Sequence, residues 1–269
     1  MQKYMRVTLI QSTVHWEDPA ANRAMFAQKL ENVTEQTDLV VLPEMFSTGF
    51  SMNAEKLAEP MNGATVVWMQ QAASRLNAAV TGSFICKEGA RFFNRLLFVR
   101  PDGSMEQYDK KHLFTLAGEH NHFTAGQKRI TVEWRGFRIC PLICYDLRFP
   151  VWSRNARGSF IKGLHPYYDV LLYVANWPNR RAHHWRALLT ARAIENQSYV
   201  VGVNIAGADG NGLEYTGDSA VLDFSGQRLL EIADGKEAIQ TVELSLEALH
   251  AYRAQLPFLA DGDVFEFRG

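Results

Sequence analysis

Asp38-Leu39-Val40-Val41-Leu42 ends in four consecutive apolar residues, and Pro43-Glu44 closes the run. Strand side chains point alternately to opposite faces. A run that is apolar at every position therefore reads as a central strand covered on both sides. N-terminal to it, residues 5–11 read as another strand, and residues 22–36 as a helix with Met25, Phe26, Leu30 and Val33 on one face. C-terminal to it, residues 66–79 have helical periodicity and 80–86 read as a strand. Two hairpins follow: 92–99 turns at Pro101-Asp102-Gly103 into 105–110, and 130–134 turns at Arg135-Gly136 into 137–144. Further strands are expected at 169–175, 199–205, 220–224 and 239–244, with a helix at 186–195 carrying Leu188, Leu189, Ala191 and Ile194. Helices interleaved with doubly apolar strands make a layered α/β protein, and the hairpins require a mixed sheet or two packed sheets. No Pro/Ser-rich linker, charge block or repeat divides the chain, so residues 1–269 are expected to form a single domain. Residues 115–127, with Gly118, Gly126 and little periodicity, form a connector long enough to suggest a functional loop.

The 269 residues carry 28 Lys+Arg against 29 Asp+Glu, a net charge of −1. That balance argues against a phosphate-backbone binder and against a polybasic membrane protein, so neither nucleic acid nor membrane is expected as a partner. The apolar runs, such as Val170-Leu171-Leu172-Tyr173-Val174-Ala175, fall far short of the roughly 20 residues a membrane helix needs. Three cysteines, Cys86, Cys140 and Cys144, cannot all pair, which points to a reducing compartment. With no signal-like start, the expected location is the cytoplasm.

Cys144 stands at the end of a strand, just before Tyr145-Asp146. Ligands of open α/β sheets bind outside the carboxyl ends of strands. There a thiol can reach a pocket while the next backbone N–H acts as an oxyanion donor; the alternative is a core cysteine. Glu44 repeats the arrangement after strand 39–42, as a base or as an exposed loop carboxylate. In Asp109-Lys110-Lys111-His112, alternation allows only one lysine to face the pocket of Glu44 and does not say which. Together the three residue types suit acyl transfer without histidine. A desolvated carboxylate serves as base, and a lysine lowers the thiol pKa and steadies an oxyanion. Other signals carry less. His120-Asn121-His122 lacks the cysteine pairs or basic surface of a nuclease, and His183-His184 lacks the spacing of a metal pair. Residues 207–212 do not have dinucleotide-loop spacing, and Cys140 and Cys86 read as core.

Leu39-Val40-Val41-Leu42-Pro43-Glu44, then Tyr108-Asp109-Lys110-Lys111-His112-Leu113-Phe114, then Leu142-Ile143-Cys144-Tyr145-Asp146-Leu147-Arg148-Phe149-Pro150 resemble the nitrilase (carbon–nitrogen hydrolase) superfamily, in order. Ala175-Asn176-Trp177-Pro178, Ala191-Arg192-Ala193-Ile194-Glu195-Asn196-Gln197 and Gly217-Asp218-Ser219 extend the likeness to about residue 230. Val151-Trp152 after Pro150 departs from the pattern, where a glutamate is common. The resemblance implies a four-layer αββα sandwich with mixed sheets, and a catalytic set of Glu44, Lys110 and Cys144. The lysine is placed by its spacing to His112-Leu113-Phe114. It further implies a supporting Glu119, an oxyanion donor at the Tyr145 N–H, no metal and no organic cofactor.

The pattern is most similar to the omega-amidase branch. That branch cleaves the terminal amide of 2-oxoglutaramate or 2-oxosuccinamate through a cysteine thioester, in steps linked to transamination and methionine salvage. A substrate carboxylate would then meet Arg148 or Arg180, with Trp177 and Phe114 walling the methylenes. For Arg148 the alternative is a structural ion pair. Other branches (deaminated-glutathione amidase, nitrilase, N-carbamoyl amide hydrolase) remain open, as does a non-catalytic thiol binder on the same scaffold. A homodimer is expected, pairing through helix 186–195 and the segment beginning at Trp152.

Overall fold

The computed structural model describes residues 3–155, 168–232 and 235–263. The first half of the chain holds β1 (Tyr4–Gln11), α1 (Pro19–Glu31), β2 (Leu39–Val41), α2 (Ala54–Leu57), α3 (Ala64–Leu76), β3 (Ala79–Glu88), β4 (Arg91–Val99) and β5 (Met105–Asp109). It continues with β6 (Val132–Trp134), β7 (Phe137–Ile143), α4 (Pro150–Ser153), β8 (Val170–Ala175), α5 (Ala182–Asn196) and β9 (Tyr199–Asn204). Last come β10 (Ala206–Ala208), β11 (Glu214–Thr216), β12 (Ala220–Leu222), β13 (Arg228–Glu231), β14 (Ala238–Ser245) and α6 (Leu246–Gln255).

Two mixed sheets result, in spatial order β14-β1-β2-β3-β4-β5 and β13-β12-β9-β8-β7-β6, with β10-β11 as a separate hairpin. Each has a parallel centre, β1-β2-β3 in one and β7-β8-β9 in the other, flanked by antiparallel strands. Side-chain alternation sorts the core. Leu39 and Val41 join Val7, Leu9, Leu96 and Phe98 in a cluster shared with Ile139, Leu142 and Val201 of the second sheet. Val40 and Leu42 face the other way, onto Phe26 and Leu30 of α1 and Val66 and Met69 of α3. On the far side, Trp185 and Leu189 of α5 cover the second sheet. A Cβ on Gly202 of β9 would lie 2.7 Å from Leu189 Cδ1, so the bare backbone there is what lets α5 come so close. The layers run helix, sheet, sheet, helix, as the resemblance implied.

The expected strands are all present, with boundary shifts. The helix read at 22–36 is α1, which starts earlier. The Asp18 carboxylate accepts from Ala21 N at 2.9 Å and Pro19 opens the helix, two start signals that outrank the apolar periodicity. Helix α6 was not anticipated. It is anchored by Arg253, whose guanidinium donates to Asp169 Oδ1 (2.9 Å), Tyr168 O (2.7 Å) and Gln197 O (2.8 Å). The pairing segment expected to begin at Trp152 needs correction at that residue. The Trp152 indole is buried and donates to Tyr108 OH at 3.0 Å, so it is not a free surface; residues 156–167 of that segment lie outside the described residues. Among the described residues, no helix is long and apolar enough to cross a membrane.

Candidate active site

The carboxyl ends of β2, β5, β7 and β8 deliver Glu44, Lys110, Cys144 and Asn176 to one place. Glu44 is fully buried. Its Oε1 accepts from Lys110 Nζ at 2.8 Å and from Asn94 Nδ2 at 2.8 Å, and its Oε2 accepts from the Asn176 backbone N–H at 2.8 Å. Lys110 Nζ also donates to Glu119 at 3.1 and 2.9 Å, and lies 5.0 Å from the centre of the Phe50 ring. Glu119, from the 115–127 connector, is held in turn by the Phe114 N–H at 2.6 Å. Burial disfavours the Lys110 ammonium, but the charges of Glu119 and Glu44 outweigh it and hold the pKa above the ordinary lysine range. Burial pushes the Glu119 carboxyl up; Lys110 pulls it down and Glu44 raises it again. Of the two lysines, then, Lys110 faces Glu44. Lys111 points away, its Nζ 3.2 Å from Gln127 Oε1 and 5.6 Å from the centre of the Trp152 ring.

Cys144 follows β7 in a left-handed backbone conformation, φ +43°, at the start of a turn over Cys144–Arg148. Such a φ strains a residue with a side chain and recurs where a fold presents a reactive group. The thiol is buried and its Sγ lies 3.9 Å from Asn176 O. Its pKa is pushed well above the ordinary thiol value, first by burial, then by the Glu44 charge; Lys110 pulls it down without prevailing. The lysine thus lowers the thiol pKa, as expected, but burial and the Glu44 charge outweigh it. Cys86 and Cys140 are buried and away from this set, as core cysteines should be.

A cavity of about 590 Å³ opens above Cys144. Phe114, Tyr145, Arg148, Trp177 and Arg180, all singled out from the sequence, line it. Arg148 does not make the alternative structural ion pair among the described residues; its guanidinium lies 4.7 Å from the centre of the Trp177 ring and donates to His184 Nδ1 at 3.1 Å. Arg181 also lines the cavity, 5.3 Å from the Phe114 ring, and sequence reasoning missed it. Burial first, then the charges of Arg180 and Arg148, lowers its pKa, and all three arginines line the cavity. The two carboxylates on the cavity wall are engaged elsewhere. Glu17 accepts from Ser51 Oγ at 2.6 Å, and Asp209 from Tyr215 OH at 2.9 Å. Asn94 and Asn176 were also missed as site residues. The signal for Asn94 was present, an uncharged polar residue beside Arg95 within the strand segment Phe92-Phe93-Asn94-Arg95-Leu96. Among the described residues, no group of three or more His, Cys, Asp or Glu is placed to hold a metal ion.

Known proteins resemble this chain along nearly its whole length. The carbon–nitrogen hydrolase family profile matches residues 6–254. The chain is 47% identical over 261 residues to the omega-amidase YafV of Yersinia enterocolitica, covering 97% of this chain and 98% of the relative. It is 31% identical over 258 residues to a 2-oxoglutaramate amidase of Bacillus subtilis, covering 95% of this chain and 96% of the relative. The crystal structure of a CN-hydrolase superfamily protein from Xanthomonas campestris, which carries an arsenic adduct in its active site, superposes with a TM-score of 0.94. That protein is 47% identical, and 99% of each chain is covered.

Proposed function

The chain belongs to the carbon–nitrogen hydrolase family, and we propose that it is an omega-amidase acting on small 2-oxo acid monoamides such as 2-oxoglutaramate and 2-oxosuccinamate. The observation that carries this reading is the contrast within the cavity. A buried thiol facing a buried carboxylate sits at its base, and three arginines without a carboxylate partner among the described residues line its wall. In the proposed reaction Glu44 takes the Cys144 proton as the sulfur attacks the amide carbonyl. Lys110 Nζ and the Tyr145 N–H hold the oxyanion. The C–N bond breaks as Glu44 returns the proton to the nitrogen, and ammonia leaves a thioester on Cys144. Glu44 then removes a proton from water, whose oxygen attacks the thioester, and the thiol is restored with release of the dicarboxylate. Glu119 fixes Lys110. The names of the Yersinia and Bacillus relatives support this substrate class.

The substrate carboxylate would lie against Arg148, Arg180 and Arg181, whose mutual repulsion an anion relieves. Phe114 and Trp177 wall the methylenes. The free thiols suit a cytoplasmic enzyme, and the proposal includes a homodimer. Ammonia release tests the reading across 2-oxoglutaramate, a neutral amide such as propionamide, nitriles and N-carbamoyl amino acids. We expect 2-oxoglutaramate to lead by far in kcat/KM, and Cys144→Ala to lose at least about 10³-fold in kcat. Equal kcat/KM for propionamide, or a preference for nitriles, would remove the omega-amidase assignment.

A further inference from the structure

We propose that Asp146 is a positioning residue, a single buried carboxylate that sets Lys110 and Cys144 relative to one another. The inference rests on the reading of those two as the reacting pair. Asp146 is fully buried and has no Lys or Arg partner among the described residues. A buried carboxylate whose ring partner His112 is its only ion-pair candidate among the described residues is expensive to keep, yet its oxygens are fully used. Oδ2 accepts from the Ile143 N–H at 3.0 Å, which braces the strained turn at Cys144 from the residue before it. The remaining bonds reach the lysine segment. Tyr108 OH donates to Oδ2 at 2.7 Å, and the His112 N–H and Nδ1–H donate to Oδ1 at 3.0 and 2.7 Å.

Tyr108 OH in turn accepts from the Lys111 N–H at 3.3 Å. Residues on both sides of Lys110 are thus tied to one carboxylate in the nucleophile turn. The His112 ring also stacks on Phe149, the residue that closes that turn, at 3.7 Å between centres. Capping the turn alone would need only the Ile143 bond. The bonds to residues 108 and 112 make sense as a brace between the two halves of the site, whose alignment the chemistry needs to within about 1 Å.

Two mild variants test this in the intact protein: Tyr108→Phe, which removes one hydroxyl, and His112→Phe, which can keep the stack on Phe149. Each is expected to lower kcat on 2-oxoglutaramate about 10- to 100-fold while KM stays within about twofold. In a Lys110→Ala background neither should lower kcat further, because the group they position is gone. His112→Asn, whose side-chain N–H can replace the ring Nδ1–H, should recover part of the loss. Asp146→Asn, which can keep only part of the bond set, should fall in the same kcat-only class if it folds. Unchanged kcat, or losses that multiply in the Lys110→Ala background and track a lower Tm, would show a merely structural role and overturn the proposal. If Lys110→Ala or Cys144→Ala keeps full activity, the underlying catalytic reading fails instead.

Discussion

Lys110 carries its ammonium between Glu44 and Glu119, with all three side chains shut away from water. Removing it leaves two buried carboxylates facing each other, a change that costs about 3–5 kcal/mol when a buried ion pair loses one partner. Lys110→Ala should therefore lose about 10²–10³ in kcat, the cost of one oxyanion donor, and also melt lower; Lys111→Ala should do neither. Steady-state kinetics and thermal melts of the two variants check this, and the reverse pattern would exchange their roles. Strand alternation could not choose between the lysines because it gives parity, not direction. The spacing to His112-Leu113-Phe114 chose Lys110, and in the structure its ammonium meets both Glu44 and Glu119, the latter from an aperiodic loop. The buried thiols make a second prediction. Burial pushes Cys140 up to about 11, from an ordinary value of 9.0. Since the folded value is the higher one, its contribution to stability is whole below pH 9 and is lost as pH rises from 9 to 11. A difference of that size corresponds to about 2–3 kcal/mol. Urea denaturation of wild type and Cys140→Ala should show the wild type's advantage shrinking by that order between pH 8 and 11; a constant gap would disprove it.

The elements that build the site are held at their ends by side chains that read as ordinary polar residues in the sequence. Asn204, closing β9, is the clearest case. Its Oδ1 accepts from the Trp177 N–H at 2.7 Å, and its Nδ2 donates to Trp177 O at 2.9 Å and Gly217 O at 2.7 Å. It therefore stitches the ends of β8 and β9 to the loop that carries Trp177 to the cavity. Asn204→Ala leaves buried backbone groups unpaired, at about 1–3 kcal/mol each. We expect a lower Tm together with a raised KM, while kcat falls less than it does in Lys110→Ala. A variant that melts lower but binds substrate normally would show that the stitch serves the fold alone. Central strands such as β2 were legible because burial on both faces leaves no polar position to blur the run. The start of α1 was misread because its first turn is set by Asp18 and Pro19 rather than by apolar spacing. Helix α6 escaped because its docking depends on Arg253 reaching Asp169 and the backbone at 168 and 197, partners that no local pattern reveals.

Across the whole molecule, the strand inventory followed from local pattern, but the division into two sheets did not. β14 pairs with β1 across more than two hundred residues, Tyr4 opposite Ser245, and only tertiary packing sets such a register. The same holds for surfaces between molecules, which sequence periodicity marks only as apolar positions left over. Two such positions remain exposed on helices that are joined near their ends. Ile194 on α5 is 52% exposed and Val151 on α4 is 49% exposed. The ends of these helices are joined by the Arg154 guanidinium, bonded to Glu195 O, and by the Asn155 N–H, 2.8 Å from Asn196 Oδ1. A two-fold pairing would bring each such patch against its own copy, so one substitution acts twice. Wild type at micromolar concentration should give a light-scattering mass of twice 30.5 kDa. Ile194→Glu, which sets like charges facing across the axis, should shift that mass toward a single chain. A wild-type mass of one chain would reject the dimer, and a dimer indifferent to Ile194→Glu would move its interface elsewhere.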